Sequence, residues 1–251
     1  AGAVASTTNG SNWNLVSLSV DTTQNLRSVW FTSDGMSGWL VGMASTAYQW
    51  NGTTWSPKNA NITNDLFTVF GTAADKVIAA GNATNAAFRF TGTAWEKHPQ
   101  SPSFNTDRFG SWGLGTTWEL PGASNDCIHL TDAAGAKLNC GQPGGAILRG
   151  TWGTAANNII TVGEDGGAGV VSRYNGTAWA KVTIPAPAFA KLHSVWANSP
   201  ADFWLVGENS TIIRFDGTNF VRVTAMGLAA NEFIKDIWGS DANNIWLLTD
   251  A

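Results

Sequence analysis

LHSVWANSPADFWLVGENSTIIRFDGTNF, residues 192–220, decides the fold. It opens on an apolar pentad closed by an aromatic (192–196), turns through SPAD, and continues as a second apolar run, WLVG, ending at Gly207. An aromatic turn on Asp216-Gly217 follows, FDGTNF (215–220). Working outward, the pentad recurs as LRSVW, LFTVF, RFGSW, LRGTW and IKDIW. Trp30, Phe70, Trp112, Trp152, Trp196 and Trp238 close the six copies, at steps of 40, 42, 40, 44 and 42 residues. The second run returns at Gly42, Gly81 and Gly163, and the turn as WNGTTW (50–55), FTGTAW (90–95) and YNGTAW (174–179). Several short strands per unit at a period near forty predict an all-β fold, a β-propeller of four-stranded antiparallel blades.

The ends set the expected number of blades. The last repeat stops after NNIWLLTDA with only its first two strands, while Asn9-Gly10-Ser11-Asn12-Trp13 matches the turn at 51–55. Residues 1–20 are therefore expected to supply the two outer strands of the blade begun at Phe233, closing a six-bladed ring and removing its open edges. The expectation is a single domain over residues 1–251.

Composition fits this reading. Gly, Asn, Thr and Ser crowd the turns, as short strands require. The longest apolar runs fall well short of a membrane span, and no basic-apolar leader precedes residue 1. A net charge of −4 without a Lys/Arg cluster argues against nucleic acid as a partner.

Fourteen Trp residues suggest a binding surface until they are sorted by column. Trp30, Trp112, Trp152, Trp196 and Trp238 close first strands, and Trp39, Trp118, Trp204 and Trp246 fall in second strands. Trp50, Trp13, Trp55, Trp95 and Trp179 belong to the aromatic turns. None is left over, so packing between radial sheets accounts for them.

The third repeat departs from the pattern and carries both cysteines, in CIHLTDAAGAKLNC. A turn at Ala133-Ala134 would place Cys127 directly opposite Cys140, within disulfide reach. Such a bond implies an oxidising compartment, and hence an extracellular or cell-surface protein.

Two columns are basic. The second pentad residue is Arg27, Phe67, Phe109, Arg149, His193 or Lys235. Fifteen residues beyond Arg149, His193 and Lys235 stand Glu164, Glu208 and Asp250, which makes these cross-strand ion pairs. Arg27 has no such carboxylate, because Met43 or Gly42 falls there. A ligand site is accordingly expected near Arg27, Phe67 and Phe109, where aromatic faces and an uncompensated cation meet on one rim. The second column holds Arg89, Arg173 and Arg214, two residues before each turn. These either brace the next blade or offer an alternative set of inter-blade sugar sites.

No GxSxG, HExxH, P-loop or GxGxxG motif occurs, and the three histidines have no ligand spacing. No catalytic residue, metal site or cofactor is expected. Glu119 and Asp236 are carboxylates that break the repeat. The consensus S-V-W-G…W-L-V-G…R-Y-D-G-T-x-W resembles the Trp-rich repeats of secreted bacterial β-propellers related to the Asp-box, sialidase-like repeats. That resemblance spans the whole chain and implies the propeller fold. Asp216 and Gly217 are adjacent, whereas the Asp-box separates them by one residue. Six-bladed fucose lectins share W-D-G-x-x-W-like turns with Arg, Glu and Trp sugar sites, and Arg89, Arg173 and Arg214 are the positions that compare. The function expected first is non-catalytic extracellular recognition of carbohydrate or a partner protein. A rigid assembly subunit comes second, and a glycosidase third for want of a carboxylate pair.

Overall fold

The computed structural model describes residues 3–7, 11–18, 23–59, 61–82, 87–185 and 189–250. The turn expected at Asn9-Gly10 lies outside them. Strands make up nearly all the regular structure: β1 (Val4–Ser6), β2 (Asn14–Val16), and then five four-stranded antiparallel sheets, each a meander. These blades are β3–β6 (26–57), β7–β10 (66–97), β11–β14 (112–139), β15–β18 (147–182) and β19–β22 (192–222). The chain ends in a hairpin, β23 (Ile234–Asp241) and β24 (Asn244–Thr249).

The chain divides into two compact units, Ala1–Asn105 and Thr106–Ala251. The first holds β1–β2 and the first two blades, and the second holds blades three to five and the terminal hairpin. The residues expected to form a sixth blade make two separate two-stranded sheets, β1–β2 and β23–β24. Val4, Val16 and Leu18 of the first hairpin region pack on Leu40, Tyr48 and Trp55 of blade one.

The repeat motifs have direct physical readings. In NGTxW and DGTxF turns the Asx side chain caps the backbone: Asn51 Oδ1 accepts from the N–H of Thr53 and Thr54, at 3.1 and 2.9 Å. The following Gly52 sits at φ +95°, which L-residues rarely adopt. At three positions the residue after an anchor is glycine because the preceding anchor lies on it. A Cβ on Gly71 would be 2.5 Å from the Trp30 ring, on Gly153 2.7 Å from Trp112, and on Gly239 2.8 Å from Trp196. Where Ala197 occupies this position, the Trp152 indole N–H instead donates to its carbonyl at 3.1 Å. Between blades lie Leu and Val from inner strands, as in the cluster of Ile160, Val162, Leu192, Val195 and Leu205. At the terminal hairpin, Trp238 and Trp246 remain 51% and 48% exposed.

Cys127 and Cys140 form a disulfide with Cα atoms 5.5 Å apart. The register differs from that expected. The turn closes at Thr131–Ala134, so Cys127 faces Leu138 and bonds diagonally to Cys140. Both cysteines are buried.

Candidate functional site

The first strand is bulged at the second pentad residue in four of the five blades and in the terminal hairpin. The ladders jump from Leu26 to Ser28, Leu66 to Thr68, Leu148 to Gly150, Leu192 to Ser194 and Ile234 to Asp236. Arg27, Phe67, Arg149, His193 and Lys235 are therefore extra residues, released from the ladder and free to present their side chains at the rim. The glycine ending the second run makes this possible. A Cβ on Gly42, Gly81, Gly163 or Gly207 would come within 2.3, 1.9, 1.9 or 2.0 Å of a carbonyl oxygen just before the bulge. That carbonyl takes the N–H of the residue after the glycine, at 2.9 Å for Met43 to Asn25, 3.2 Å for Asn82 to Asp65, and 2.9 Å for Glu208 to Lys191. Thus the residue after the glycine is held beside the bulged one. The sequence placed Glu164 directly across from Arg149, whereas Glu164 pairs with Ile147 and reaches Arg149 through the bulge.

In the second unit these residues form ion pairs, two of them joined across neighbouring blades. Arg149 Nη2 meets Glu164 Oε1 at 2.8 Å, and His193 Nε2 lies 3.6 Å from Glu208. Lys235 pairs with Asp250. Lys191 spans two blades, 3.5 Å from Glu164 and 3.8 Å from Glu208. Burial pushes the Glu164 carboxyl up, but Arg149 and Lys191 more than offset it and leave it below the usual range. Burial, then the nearby Arg149 charge, holds His193 below its ordinary pKa against the pull of Glu208. The His193 ring packs on Phe233 at 4.3 Å, and Arg149 lies over the Phe109 ring at 5.4 Å. Asp236 accepts from Ser194 Oγ at 2.6 Å, tying the terminal hairpin to blade five.

In the first unit, Arg27 lies 5.7 Å over the Phe67 ring, and its Nη2 is 3.9 Å from Met43 Sδ. Among the described residues no carboxylate lies within ion-pairing distance of Arg27. Asp65 is committed elsewhere, accepting from the Ala44 N–H at 2.7 Å. Of the expected site, the structure brings Arg27 and Phe67 together. Phe109 belongs to the other unit, beneath Arg149.

The second basic column is engaged throughout. Arg89 Nε donates to Glu96 at 2.7 Å, and Arg214 Nε to Asp202 at 2.8 Å, with Trp204 beneath its guanidinium. Arg173 donates to Asn158 at 2.6 Å and to the Pro200 carbonyl of the next blade at 3.3 Å.

Blade three differs in ways the sequence reading missed. Glu119, not Trp118, faces the anchor Trp112, in the column of Trp39, Ile78, Ile160, Trp204 and Trp246. Trp118 is displaced by one residue and pairs with Gly113. Opposite Glu119 stands His129, in the column of Arg89, Arg173 and Arg214. Glu119 is fully buried. One carboxylate oxygen contacts His129 Nδ1, and the other has no hydrogen-bond partner among the described residues. Burial pushes the Glu119 carboxyl up, and the contact with Glu119 pushes His129 up. Arg108 replaces the leucine or isoleucine that begins other pentads. It too is fully buried, donating to the Asp126 carbonyl at 2.6 Å and to Thr106 Oγ1 at 2.5 Å. Its carboxylate partner Asp126 is 3.6 Å away, and burial lowers the guanidinium pKa to about 10. Next to it, Asp126, Lys137, Asn125 and Gln142 help line an open polar depression of about 370 Å³. No group of three or more metal-ligating side chains occurs among the described residues.

Repeated meanders, seated anchors and bulged inner strands define a β-propeller, and solved structures agree. The structure of YCF48 bound to D1 peptide is similar with a TM-score of 0.69 at 15% identity, over 96% of this chain and 81% of that one. YCF48 from Cyanidioschyzon merolae gives 0.68 at 14%, over 92% and 81%. The WD40 propeller domain of Doa1 gives 0.71 at 11%, over 94% and 79%. No family model matches the sequence, nor does any curated protein. At such identities the likeness establishes the fold.

Proposed function

We propose that this chain is a non-catalytic recognition module that binds a protein segment through its bulged rim. The bulge column carries the proposal. Packing columns repeat Leu, Val, Trp and Gly, while the one column freed from the ladder holds Arg27, Phe67, Phe109, Arg149, His193 and Lys235. Residues that stand outside the ladder and differ from blade to blade are suited to recognition. A propeller neighbour carrying a bound peptide supports a protein partner over a sugar. So does the geometry of the rings. Arg27 covers a face of Phe67 and Arg149 a face of Phe109, which takes those faces from sugar stacking. Carbohydrate is the second reading, resting on the same rim.

The proposal includes ring closure, with β1–β2 completing the blade begun by β23–β24. Its support is that β1–β2 covers Leu40, Tyr48 and Trp55 of blade one, while Val29 and Phe31 on the inner strand stay exposed. It also places the protein outside the cytoplasm, where the buried disulfide would persist. Selection from a displayed peptide library alongside a glycan array tests the function. Peptide enrichment abolished by charge reversal at the rim is expected, and glycan binding without any peptide would overturn it.

A further inference from the structure

The geometry points to a vacant carboxylate seat at Arg27, so that the partner recognised there supplies an acidic group. This inference rests on the peptide-binding proposal and names the chemistry of its contact. A backbone clamp, in which the N–H after the second run bonds the carbonyl before the bulge, sets one residue beside the bulged one. Glycine closes it at Gly42, Gly163 and Gly207, and Thr249 stands in that place beside Lys235. Where the bulged residue is Arg149, His193 or Lys235, the clamped residue is Glu164, Glu208 or Asp250. Beside Arg27 the clamp holds Met43, whose thioether is a weak acceptor at 3.9 Å. Among the described residues the cation stands without a counter-ion. Phe67 supports the guanidinium from below, so the group rests on an apolar floor, and Arg27 is exposed.

A planar fork of N–H donors fits a carboxylate bidentately, and Met43 and Phe67 offer apolar walls to whatever chain carries it. The ligand is thus a peptide carboxylate, from an Asp or Glu side chain or from a free C terminus, with an apolar neighbour against Met43. The three internal pairs serve as a template, because Met43→Glu would write the missing counter-ion into the chain and occupy the seat from within.

The decisive measurement is an NMR titration of the full chain with N-acetyl-leucine, following the Arg27 Nε–H resonance. N-acetyl-leucinamide is the neutral control. The acid should shift the resonance and the amide should not, and both Met43→Glu and Arg27→Gln should abolish the response. Met43→Gln, of similar size without charge, should retain it. A response equal for acid and amide, or unchanged in Met43→Glu, overturns the seat, as does no response at all. In a second arm, peptides enriched from libraries with free or amidated C termini are compared, as are Asp/Glu members and their Asn/Gln counterparts. The matching carboxylate should be worth about tenfold or more in affinity, the range of a charge-assisted hydrogen bond. Loss on amidation identifies the C terminus, and loss on Glu→Gln identifies a side chain. Enriched peptides indifferent to both changes overturn the seat while leaving peptide binding intact. If the titration succeeds and no peptide is enriched, the seat stands and the peptide-binding proposal fails.

Discussion

Blades three and five share a backbone and differ in what fills it. Blade five sets Leu192 before its bulge, Trp204 opposite its anchor and Arg214 across from Trp204. Blade three sets Arg108, Glu119 and His129 in the same places. Two apolar groups have been exchanged for charged ones and an arginine for a histidine, and the strands still run in the same order. The register is therefore carried by features that both blades keep: the small residue after the anchor, the glycine that closes on the carbonyl before the bulge, and the tight turns. The columns between can change chemistry if partners arrive together, because an uncompensated buried charge costs several kcal/mol while a partnered one is nearly neutral. Blade three adds the disulfide, a strut that blade five lacks.

The largest effects should come from breaking each blade at its own kind of contact. Trp196→Ala removes the ring seated on Gly239 and should cost about 3–5 kcal/mol in urea unfolding. Arg108→Ala should cost a similar amount, about 3–5 kcal/mol, because it empties a fully buried site and leaves the Asp126 carbonyl without its donor, although the Asp126 carboxylate keeps Lys137. Arg108→Leu restores the residue type of the other blades and should be milder than the alanine variant. Equal losses would show that the lost charge and its hydrogen bonds, and not the cavity, govern this site. Next in size is the disulfide. Its cysteines are 13 residues apart, and the chain-entropy argument assigns such a loop about 3 kcal/mol. Cys127→Ala with Cys140→Ala should lower stability by up to that amount. Reduction of the native chain should reproduce the loss, and hydrogen exchange should place it in blade three while blade five stays protected.

The regular blades were legible in the sequence because their period is set by repeated packing. The anchors, glycines and aromatic turns all fall where spacing put them. The bulge was not legible. It adds one residue to one strand without altering the repeat length, so equal counts from a turn suggested direct opposition of Arg149 and Glu164. The ion pairs form regardless, because the backbone clamp draws the next side chain to the bulged one. Blade three was the least readable. WELPG carries one residue more between its Trp and Gly than WLVG, and aligning on the Trp hid that Glu119 faces the anchor. With no aromatic turn to mark its third strand, nothing assigned His129 to the column of arginines. The turn at 131–134 is likewise centred one residue earlier than expected, which shifted Cys127 from Cys140 to Leu138 without preventing the bond.

A smaller effect separates the two blades by pH. Contact with Glu119 raises His129 above its ordinary value of 6.5, so its contribution is complete below that value and is lost as pH rises through the raised folded pKa. Stability should therefore decline on the alkaline side, and Glu119→Gln should flatten the decline. Tyr174 beside the pair is itself pushed up by burial and by Glu119, so it stays neutral across this window. The corresponding pair in blade five, Trp204 and Arg214, has no group that titrates there. Thermal unfolding followed from pH 6 to about pH 9 checks this, and an unchanged slope in the glutamine variant would remove the pair from the account.

The smallest effect concerns the rim. Lys235 and Asp250 are 48% and 53% exposed, while Arg149 and Glu164 are 28% and 12% exposed and joined to Lys191. Exposed pairs are screened by water and salt and must order two long side chains, so a double-mutant cycle on Lys235 and Asp250 should give a coupling under about 0.5 kcal/mol. The cycle on Arg149 and Glu164 should give more, about 1 kcal/mol, and should survive added salt better. Neither approaches the cost of losing an anchor Trp. That ordering matters for function, because a column contributing little to stability can vary from blade to blade without endangering the fold. Position 43 could then lose its acid and leave Arg27 available to a partner. Couplings at the rim as large as the anchor losses would mean that the column is held for structure, and the case for recognition there would fall with it.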